Sequence, residues 1–341
     1  MSQEPDLGLA QQLMTLAGLA YDQPANIPGY LKSGPLSANG WQIFWIAKAQ
    51  TDPVNFAFIA VNNQGDYAIA IRGTYPDPFS RAYWDDASQD NPLGSMVPWP
   101  GAVNGAKIAG GTMTGFTNVL ALSDGSTSLA DTLKALPSKT GTKIKIYVTG
   151  HSLGGTLAPV LGLWLTETRS DLDLCIVPFA GMTPGNGAFA DLFGPKTALA
   201  DRVWRYNNTL DTVPYGWDRV YQARNFYQPA PQGGWLVSLA ITFMAIRLWL
   251  FYGYKAIGTE IKLPGKLEKP VFKCQLASYV VENLEQHLPN TYLALLGAAP
   301  LPFDISFGSV VVSITPEQAA HRLAAHVSPA RKIGLGHVHY M

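Results

Sequence analysis

The stretch TGHSLGGTLAP, residues 149–159, places a serine where it could act as a nucleophile. Gly150, Ser152 and Gly154 form the pattern G-x-S-x-G, which presents a serine hydroxyl at a sharp turn from a strand into a helix. The alternating run TKIKIYVTG precedes it and predicts a strand, and the apolar run LGGTLAPVLGLWLTETR after it predicts a helix packed on a sheet. A serine there could also simply cap the helix. The cap leaves the two glycines unexplained, so the pattern favours a nucleophile.

A serine hydroxyl is weakly nucleophilic and needs a base that a third group orients. In this strand–turn–helix arrangement the acid and then the base follow the serine along the chain. Asp201, Asp211 and Asp218 are candidate acids. Asp211 follows the predicted strand VWRYNN and precedes a proline, as expected of a carboxylate at the end of a sheet. An aspartate at such a place is also common in ordinary turns.

The candidate bases are the histidines, of which the chain has six: His151, His287, His321, His326, His337 and His339. The alternation of the turn predicts that His151 points away from Ser152. His321 and His326 lie in PEQAAHRLAAHV, an amphipathic pattern typical of solvated histidines. His337 and His339 offer only two metal ligands, so we expect no metal site, and no motif calls for a cofactor. His287 precedes a proline, and we expect it in a loop.

The elements around these residues predict an α/β fold. WQIFWIAKAQ, NFAFIAVNN and DYAIAIRGT read as successive strands, with a hairpin turn at NNQGD. LDLCIVPFAG is continuously apolar, as a central parallel strand is. The N-terminal Leu9, Leu13, Leu16 and Leu19 fall on one face of a helix. We therefore expect a single domain over 1–341 with a mostly parallel sheet, helices on both faces and ligands at the carboxyl ends of the strands.

Several further motifs occur in a recognisable order: IRGT at 71–74, GHSLGG at 150–155, TPGNGAF at 183–189, NNTLDTVP at 207–214 and HLPNTY at 287–292. In these motifs the chain resembles the class 3 (fungal-type) lipases of the α/β-hydrolase superfamily. The resemblance spans about residues 66 to 292, roughly two-thirds of the chain.

The resemblance implies that Asp211 is the acid and His287 the base. It also points to Thr74 as an oxyanion donor through its backbone N–H and its hydroxyl. The backbone N–H of Leu153, at a helix N-terminus, would be the other donor.

The implied activity is hydrolysis of carboxylic esters of apolar acyl chains, such as acylglycerols, through an acyl-enzyme on Ser152. A phospholipase or an acyltransferase would use the same triad. A catalytically silent hydrolase fold that binds lipid or acts as a scaffold is the alternative from another class.

The apolar run WLVSLAITFMAIRLWLFYGY at 235–254 lies within a predicted hydrophobic cap or lid insertion, 220–265. It is long enough to cross a membrane, but one crossing would place Asp211 and His287 on opposite sides of about 30 Å of hydrocarbon. A lid or lipid-facing helix is favoured over plain core and over a span.

A second candidate lid segment is 75–115, which reads as loop, with Trp84 and Trp99 as candidate anchors. Residues 293–341 form a C-terminal extension outside the resemblance, where FDISFGSVVVSI predicts one or two strands.

The composition of the chain limits the classes of molecule that it is expected to bind. Hydrophobic residues make up 47% and charged residues 14%, and 24 basic residues balance 24 acidic ones. This gives no electrostatic basis for binding nucleic acid, and we expect a lipid or ester substrate with transient binding to a lipid interface. Two cysteines, Cys175 and Cys274, cannot form a disulfide framework. The N-terminus carries acidic residues and no basic start, a poor secretory signal, so we expect a cytoplasmic protein or one secreted by a leaderless or trimmed route.

Overall fold

The computed structural model describes residues 4–49, 55–74, 93–102, 104–137, 143–225, 234–267, 275–306 and 309–313. Its strands are β1 (Gln42–Ile46), β2 (Ala57–Val61), β3 (Tyr67–Ile71), β4 (Met96–Pro98), β5 (Lys107–Ala109), β6 (Ile144–His151), β7 (Leu172–Phe179), β8 (Trp204–Asn208), β9 (Thr259–Leu263), β10 (Phe303–Ser306) and β11 (Ser309–Ser313). Its α-helices are α1 (Leu7–Leu19), α2 (Ile27–Ser33), α3 (Gly110–Ala121), α4 (Leu129–Lys134), α5 (Leu153–Thr168), α6 (Gly187–Ala190), α7 (Gly234–Phe251), α8 (Gln275–His287) and α9 (Pro289–Leu295).

The central sheet has seven strands in the order β1-β2-β3-β6-β7-β8-β9. The first three strands are antiparallel, and from β3 onward the neighbours run parallel. The predicted mostly parallel α/β sheet is confirmed. Ile71 of β3 pairs with Gly150 of β6, and His151 of β6 with Phe179 of β7. The carboxyl ends of these strands therefore meet at one edge of the sheet, where the turn at Ser152 lies.

Helix α1 lies against the middle of the sheet, with its closest packing on β6. Its N-terminus is capped by Asp6, whose carboxylate accepts a hydrogen bond from the backbone N–H of Leu9 at 2.7 Å. Leu13, Leu16 and Leu19 are buried as predicted.

The segment 75–115 contains more regular structure than its sequence predicts. Its described part forms the antiparallel pair β4–β5 and the start of α3, so the interpretation of the whole segment as loop is wrong there. Strands of three residues are too short to show a period in sequence. Trp99 is buried, packs against Phe116 and Phe189, and donates its indole N–H to Glu167 at 2.9 Å. Residues 75–92, with Trp84, lie outside the described residues, where the lid stays a prediction.

The predicted insertion at 220–265 extends too far toward the C-terminus. Strand β9 pairs in parallel with β8 and closes the central sheet, so residues 259–263 belong to the sheet. Its short sequence TEIKL is half-exposed, as an edge strand is, and was therefore not predicted from apolar runs. The rest of the segment holds a 3-10 helix, Val220–Asn225, and α7.

Helix α7 is not a core helix. Of its side chains within the described part of the structure, Leu248 alone is fully buried, so the core interpretation of this run is wrong. Within the residues that the structure describes, no helix combines the length and apolarity that a membrane crossing requires.

The described part of the C-terminal extension packs onto the N-terminal helices. Strands β10 and β11 lie in the run where one or two strands were predicted, and they pair antiparallel. Leu301 is fully buried and lies so close to α1 that a Cβ on Gly18 would approach its Cδ2 to 2.8 Å. Phe303 is buried beside Tyr30, with ring centroids 5.8 Å apart. Residues 314–341, with their four histidines, lie outside the described residues.

Replacing Leu301 with alanine should destabilise the protein by about 2–5 kcal/mol, because it leaves a cavity beneath α1. Urea unfolding measures this free energy. Leu7, which is 60% exposed on the same helix, provides the control. Leu7→Ala should change stability by less than about 0.5 kcal/mol, and equal effects of the two substitutions would show that the extension does not belong to the core.

Candidate active site

Ser152 forms the one-residue turn between β6 and α5. Its φ of 60° and ψ of −125° lie in a region that residues with a side chain rarely occupy. Such a conformation costs about 1–3 kcal/mol and persists only where the surroundings hold it. Here the Ser152 N–H donates to the carbonyl of Phe179 at 3.0 Å, and its own carbonyl accepts from the N–H of Thr156 at 3.0 Å. The turn therefore fixes the serine at the carboxyl end of the sheet.

The two glycines of the motif are required by close backbone contacts. A Cβ on Gly150 would lie 2.4 Å from the carbonyl carbon and oxygen of Gly154. A Cβ on Gly154 would lie 2.1 Å from the carbonyl oxygen of Ile71, on β3. The first turn of α5 thus lies directly against the backbone of β3 and β6, with no space for a Cβ at either glycine, as a strained strand–turn–helix requires.

The structure brings Ser152, His287 and Asp211 together in one hydrogen-bonded chain. His287 Nε2 lies 2.8 Å from Ser152 Oγ, and His287 Nδ1 lies 2.7 Å from Asp211 Oδ2. Because a carboxylate only accepts, Nδ1 carries the proton that it donates to Asp211, which leaves Nε2 to accept from the serine hydroxyl. His287 is the last residue of α8, so the prediction that it lies in a loop is wrong.

Asp211 is fully buried behind the imidazole, just after the end of β8. Its Oδ1 accepts the backbone N–H of Val213 at 2.9 Å, and its Oδ2 also accepts the hydroxyl of Tyr292 at 2.8 Å. The Tyr292 hydroxyl in turn accepts the backbone N–H of Asn208 at 3.1 Å. Burial, reinforced by the charge of Asp211, raises the pKa of Tyr292 well above its usual value, so this phenol remains a donor.

Tyr292 was missed by sequence reasoning, although it ends the motif HLPNTY. The only signal was its position five residues after His287, and the break between α8 and α9 turns its side chain back toward Asp211.

His151 lies against the candidate base, a contact that was not predicted from the sequence. Its ring centroid is 4.8 Å from that of His287, and its Nδ1 is 2.9 Å from the Tyr21 hydroxyl. Strand β6 extends through His151, so this side chain shares with Thr149 the face of the sheet that α1 covers. Burial and the neighbouring His287 hold the pKa of His151 well below its usual value, which keeps this imidazole neutral.

The two predicted oxyanion donors lie on either side of the turn. Leu153 is the first residue of α5, where backbone N–H groups have no partner within the helix and the helix dipole is positive. Thr74 follows Gly73, at which a Cβ would come within 2.9 Å of Ser152 Cβ. The chain leaving β3 is thus in contact with the turn, which puts Thr74 next to it.

The remaining candidates are used elsewhere. Asp218 accepts hydrogen bonds from the Thr183 hydroxyl at 3.0 Å and the Ala256 N–H at 3.3 Å, and Asp201 occupies a turn with a φ of 53°. Cys175 is a free, buried thiol, and burial raises its pKa to about 11, which keeps it protonated. Across the described ranges no three histidine, cysteine, aspartate or glutamate side chains cluster as metal ligands would.

Comparison with known proteins agrees with this arrangement. Residues 68–216 match the family model described as Lipase (class 3), a range that includes most of β3, the turn at Ser152 and Asp211. No curated protein matches the chain.

Solved structures match over most of the chain. The M37 lipase is 26% identical, with a TM-score of 0.67, over 88% of this chain and 94% of that one. A Rhizomucor miehei lipase in a propeptide complex is 20% identical, with a TM-score of 0.53, over 85% of this chain and 83% of that one. A triacylglycerol lipase described as having a serine protease triad as its catalytic centre is 20% identical, with a TM-score of 0.51, over 77% of this chain and 82% of that one. The last two likenesses concern the fold.

The family match covers the nucleophile turn, and the match to the fold of the M37 lipase extends over most of this chain. The chain is a serine hydrolase with the α/β-hydrolase fold, and its residues 68–216 are similar to the class 3 lipases.

Proposed function

We propose that Ser152, His287 and Asp211 catalyse the hydrolysis of carboxylic esters of apolar acyl chains, with acylglycerols as the natural substrates. The observation that carries this proposal is the continuous hydrogen-bond chain from Ser152 Oγ through the imidazole to Asp211 Oδ2, at 2.8 Å and 2.7 Å. The match to class 3 lipases and the name of the M37 lipase support the substrate class.

In the proposed reaction, Ser152 Oγ attacks the ester carbonyl carbon while His287 Nε2 takes the hydroxyl proton. Asp211 keeps the imidazole in the required tautomer and stabilises the imidazolium that forms. The tetrahedral intermediate collapses, the C–O bond to the alcohol breaks, and the imidazolium protonates the departing alkoxide. Water then attacks the acyl-enzyme by the same route, which releases the fatty acid and restores the serine.

The oxyanion of each tetrahedral intermediate would be held by the backbone N–H of Leu153 and by Thr74. These donors lie at a fixed helix N-terminus and at the end of a sheet strand, so they need no rearrangement as charge develops. No metal or cofactor is needed for this chemistry, since proton transfer and charge stabilisation come from the chain itself.

Replacing Ser152 with alanine should reduce kcat for p-nitrophenyl esters by about 10⁵–10⁶, because the nucleophile is lost. The variant should also no longer react with a fluorophosphonate, which labels activated serines. Ser37→Ala, at an exposed serine in a short 3-10 helix, is the matched control and should retain both properties. Full labelling or esterase activity of Ser152→Ala would rule out the assigned nucleophile.

Replacing Tyr292 with phenylalanine removes one hydrogen bond from the Asp211 carboxylate and keeps the ring. Hydrogen bonds to charged groups are worth about 1.5–3 kcal/mol, so kcat should fall by about 10- to 100-fold. KM should change little, because Tyr292 is fully buried behind the acid. A change confined to KM would argue against a role in positioning Asp211.

His151 makes stability depend on pH. Folding lowers the pKa of His151, so as the pH falls below about 6.5 the imidazole is protonated in the unfolded chain and stays neutral in the folded one. Because the unfolded state then binds more protons, the free energy of unfolding decreases. Between pH 7.5 and 5.5 this group should cost about 1.4 kcal/mol of unfolding free energy. His151→Gln should show a smaller loss over the same interval in urea unfolding. An identical pH dependence in both proteins would mean that His151 becomes charged within the fold.

A further inference from the structure

Helix α7 presents an apolar face to solvent. Trp235, Leu239, Phe243, Ile246 and Leu250 recur at intervals of four, four, three and four residues, which places them on one side of the helix. Each is between 45% and 74% exposed. We call these five residues the apolar stripe.

Exposure of large hydrophobic side chains is concentrated around this stripe. In the described part of the chain, eight of the eleven exposed large hydrophobic residues lie between Tyr221 and Phe251. Trp249 and Phe251, beside the stripe, are 79% and 76% exposed. An apolar patch of this extent is rare on a monomeric protein and marks a binding surface.

The opposite side of α7 attaches the helix to the body of the protein. Leu248 is buried there, and α7 packs against the 3-10 helix Val220–Asn225. The stripe therefore faces away from the protein, as the apolar side of a helix lying flat on a membrane does.

The charges around the stripe indicate which kind of partner binds this surface. Residues 219–256 contain four basic residues and no acidic one, in a chain whose charges balance overall. Arg219 is paired with Glu260, and Lys255 with Asp191. Arg224 and Arg247 are both exposed, and the guanidinium of Arg224 lies 4.0 Å from the centre of the Tyr221 ring. Arg247 follows Phe243 by four residues, so it flanks the stripe.

We propose that this face docks onto a bilayer rich in anionic phospholipid. The apolar stripe would enter the boundary between headgroups and acyl chains, and Arg224 and Arg247 would extend along it to reach phosphate groups.

A symmetric pair of protein copies would place the same arginines near one another, which disfavours self-association. A triacylglycerol droplet surface carries no charge for the arginines to meet. The docking is a property of α7 and does not rest on the proposed catalysis.

The direct test uses full-length protein carrying Ser152→Ala, so that no lipid is hydrolysed. It is mixed with vesicles of phosphatidylcholine alone, or of phosphatidylcholine with phosphatidylglycerol, and bound protein is separated by flotation. We expect binding to the anionic vesicles, weakened by added salt, and a blue shift of tryptophan emission as Trp235 and Trp249 leave water.

Substitutions then separate the two contributions. Arg224→Gln and Arg247→Gln should each weaken binding to anionic vesicles about fivefold. The double substitution Phe243→Ser with Trp249→Ser should weaken it by more than about tenfold. Leu7→Ser and Lys32→Gln each remove an apolar side chain or a positive charge at an exposed site on α1 or α2, and they should have no effect.

Three results would overturn the proposal: equal binding to both vesicle types, stronger binding to triolein droplets than to anionic vesicles, or absence of binding to any of them. A dimer in analytical ultracentrifugation that the Phe243/Trp249 double substitution dissolves would assign the face to a second copy. In proteins that retain Ser152, the substitutions on α7 should leave hydrolysis of a water-soluble short-chain ester unchanged. Loss of that activity would make α7 part of the catalytic site instead.

Discussion

The backbone at Ser152 is held in a conformation that the rest of the site depends on. A positive φ at a residue with a side chain is unfavourable, and three elements meet there to impose it. Strand β6 delivers the chain, α5 leaves it, and Ile71 of β3 lies so close to α5 that only glycine fits at position 154. Because the turn is rigid, the hydroxyl has one position relative to the sheet, and the groups on later strands and helices can be built around it.

The partners of the serine, Asp211 and His287, lie well after it in the sequence. Neighbouring residues hold both of them in place. Asp211 has no solvent contact, so its oxygens are satisfied by the backbone of Val213, the hydroxyl of Tyr292 and the imidazole of His287. A buried carboxylate left without such donors would be costly. The neutral His151 fills the space beside His287 without adding a competing charge. The hydrogen-bond chain is therefore supported on both sides by groups that position it.

The molecule has two kinds of apolar segment: one is buried in the core and the other is exposed to solvent. The runs in β3, β6, α5 and β7 are buried between layers, as apolar runs usually are. The equally apolar run in α7 is inserted between β8 and β9 and touches the body of the protein along one side. The exposed face of α7, and the absence of a salt bridge to Arg224 or Arg247 among the described residues, are properties of the assembled structure, although both arise from one short segment.

The sequence by itself determined the local features: the strand–turn–helix at Ser152, the alternation of strands and helices that predicts a mostly parallel sheet, and the stripe of α1. These follow from short-range periodicity and from glycines whose spacing has few other uses. The folded chain decided what depends on distant contacts. Tyr292 reaches Asp211 only because α8 and α9 break between them, and His151 meets His287 only because β6 continues through it. Strand β9 joins the sheet because an edge position accepts its polar residues, and α7 remains exposed because no described element covers its outer face. Hydrophobicity read along the chain gives the amount of apolar surface, whereas its burial is fixed by which elements pack against it.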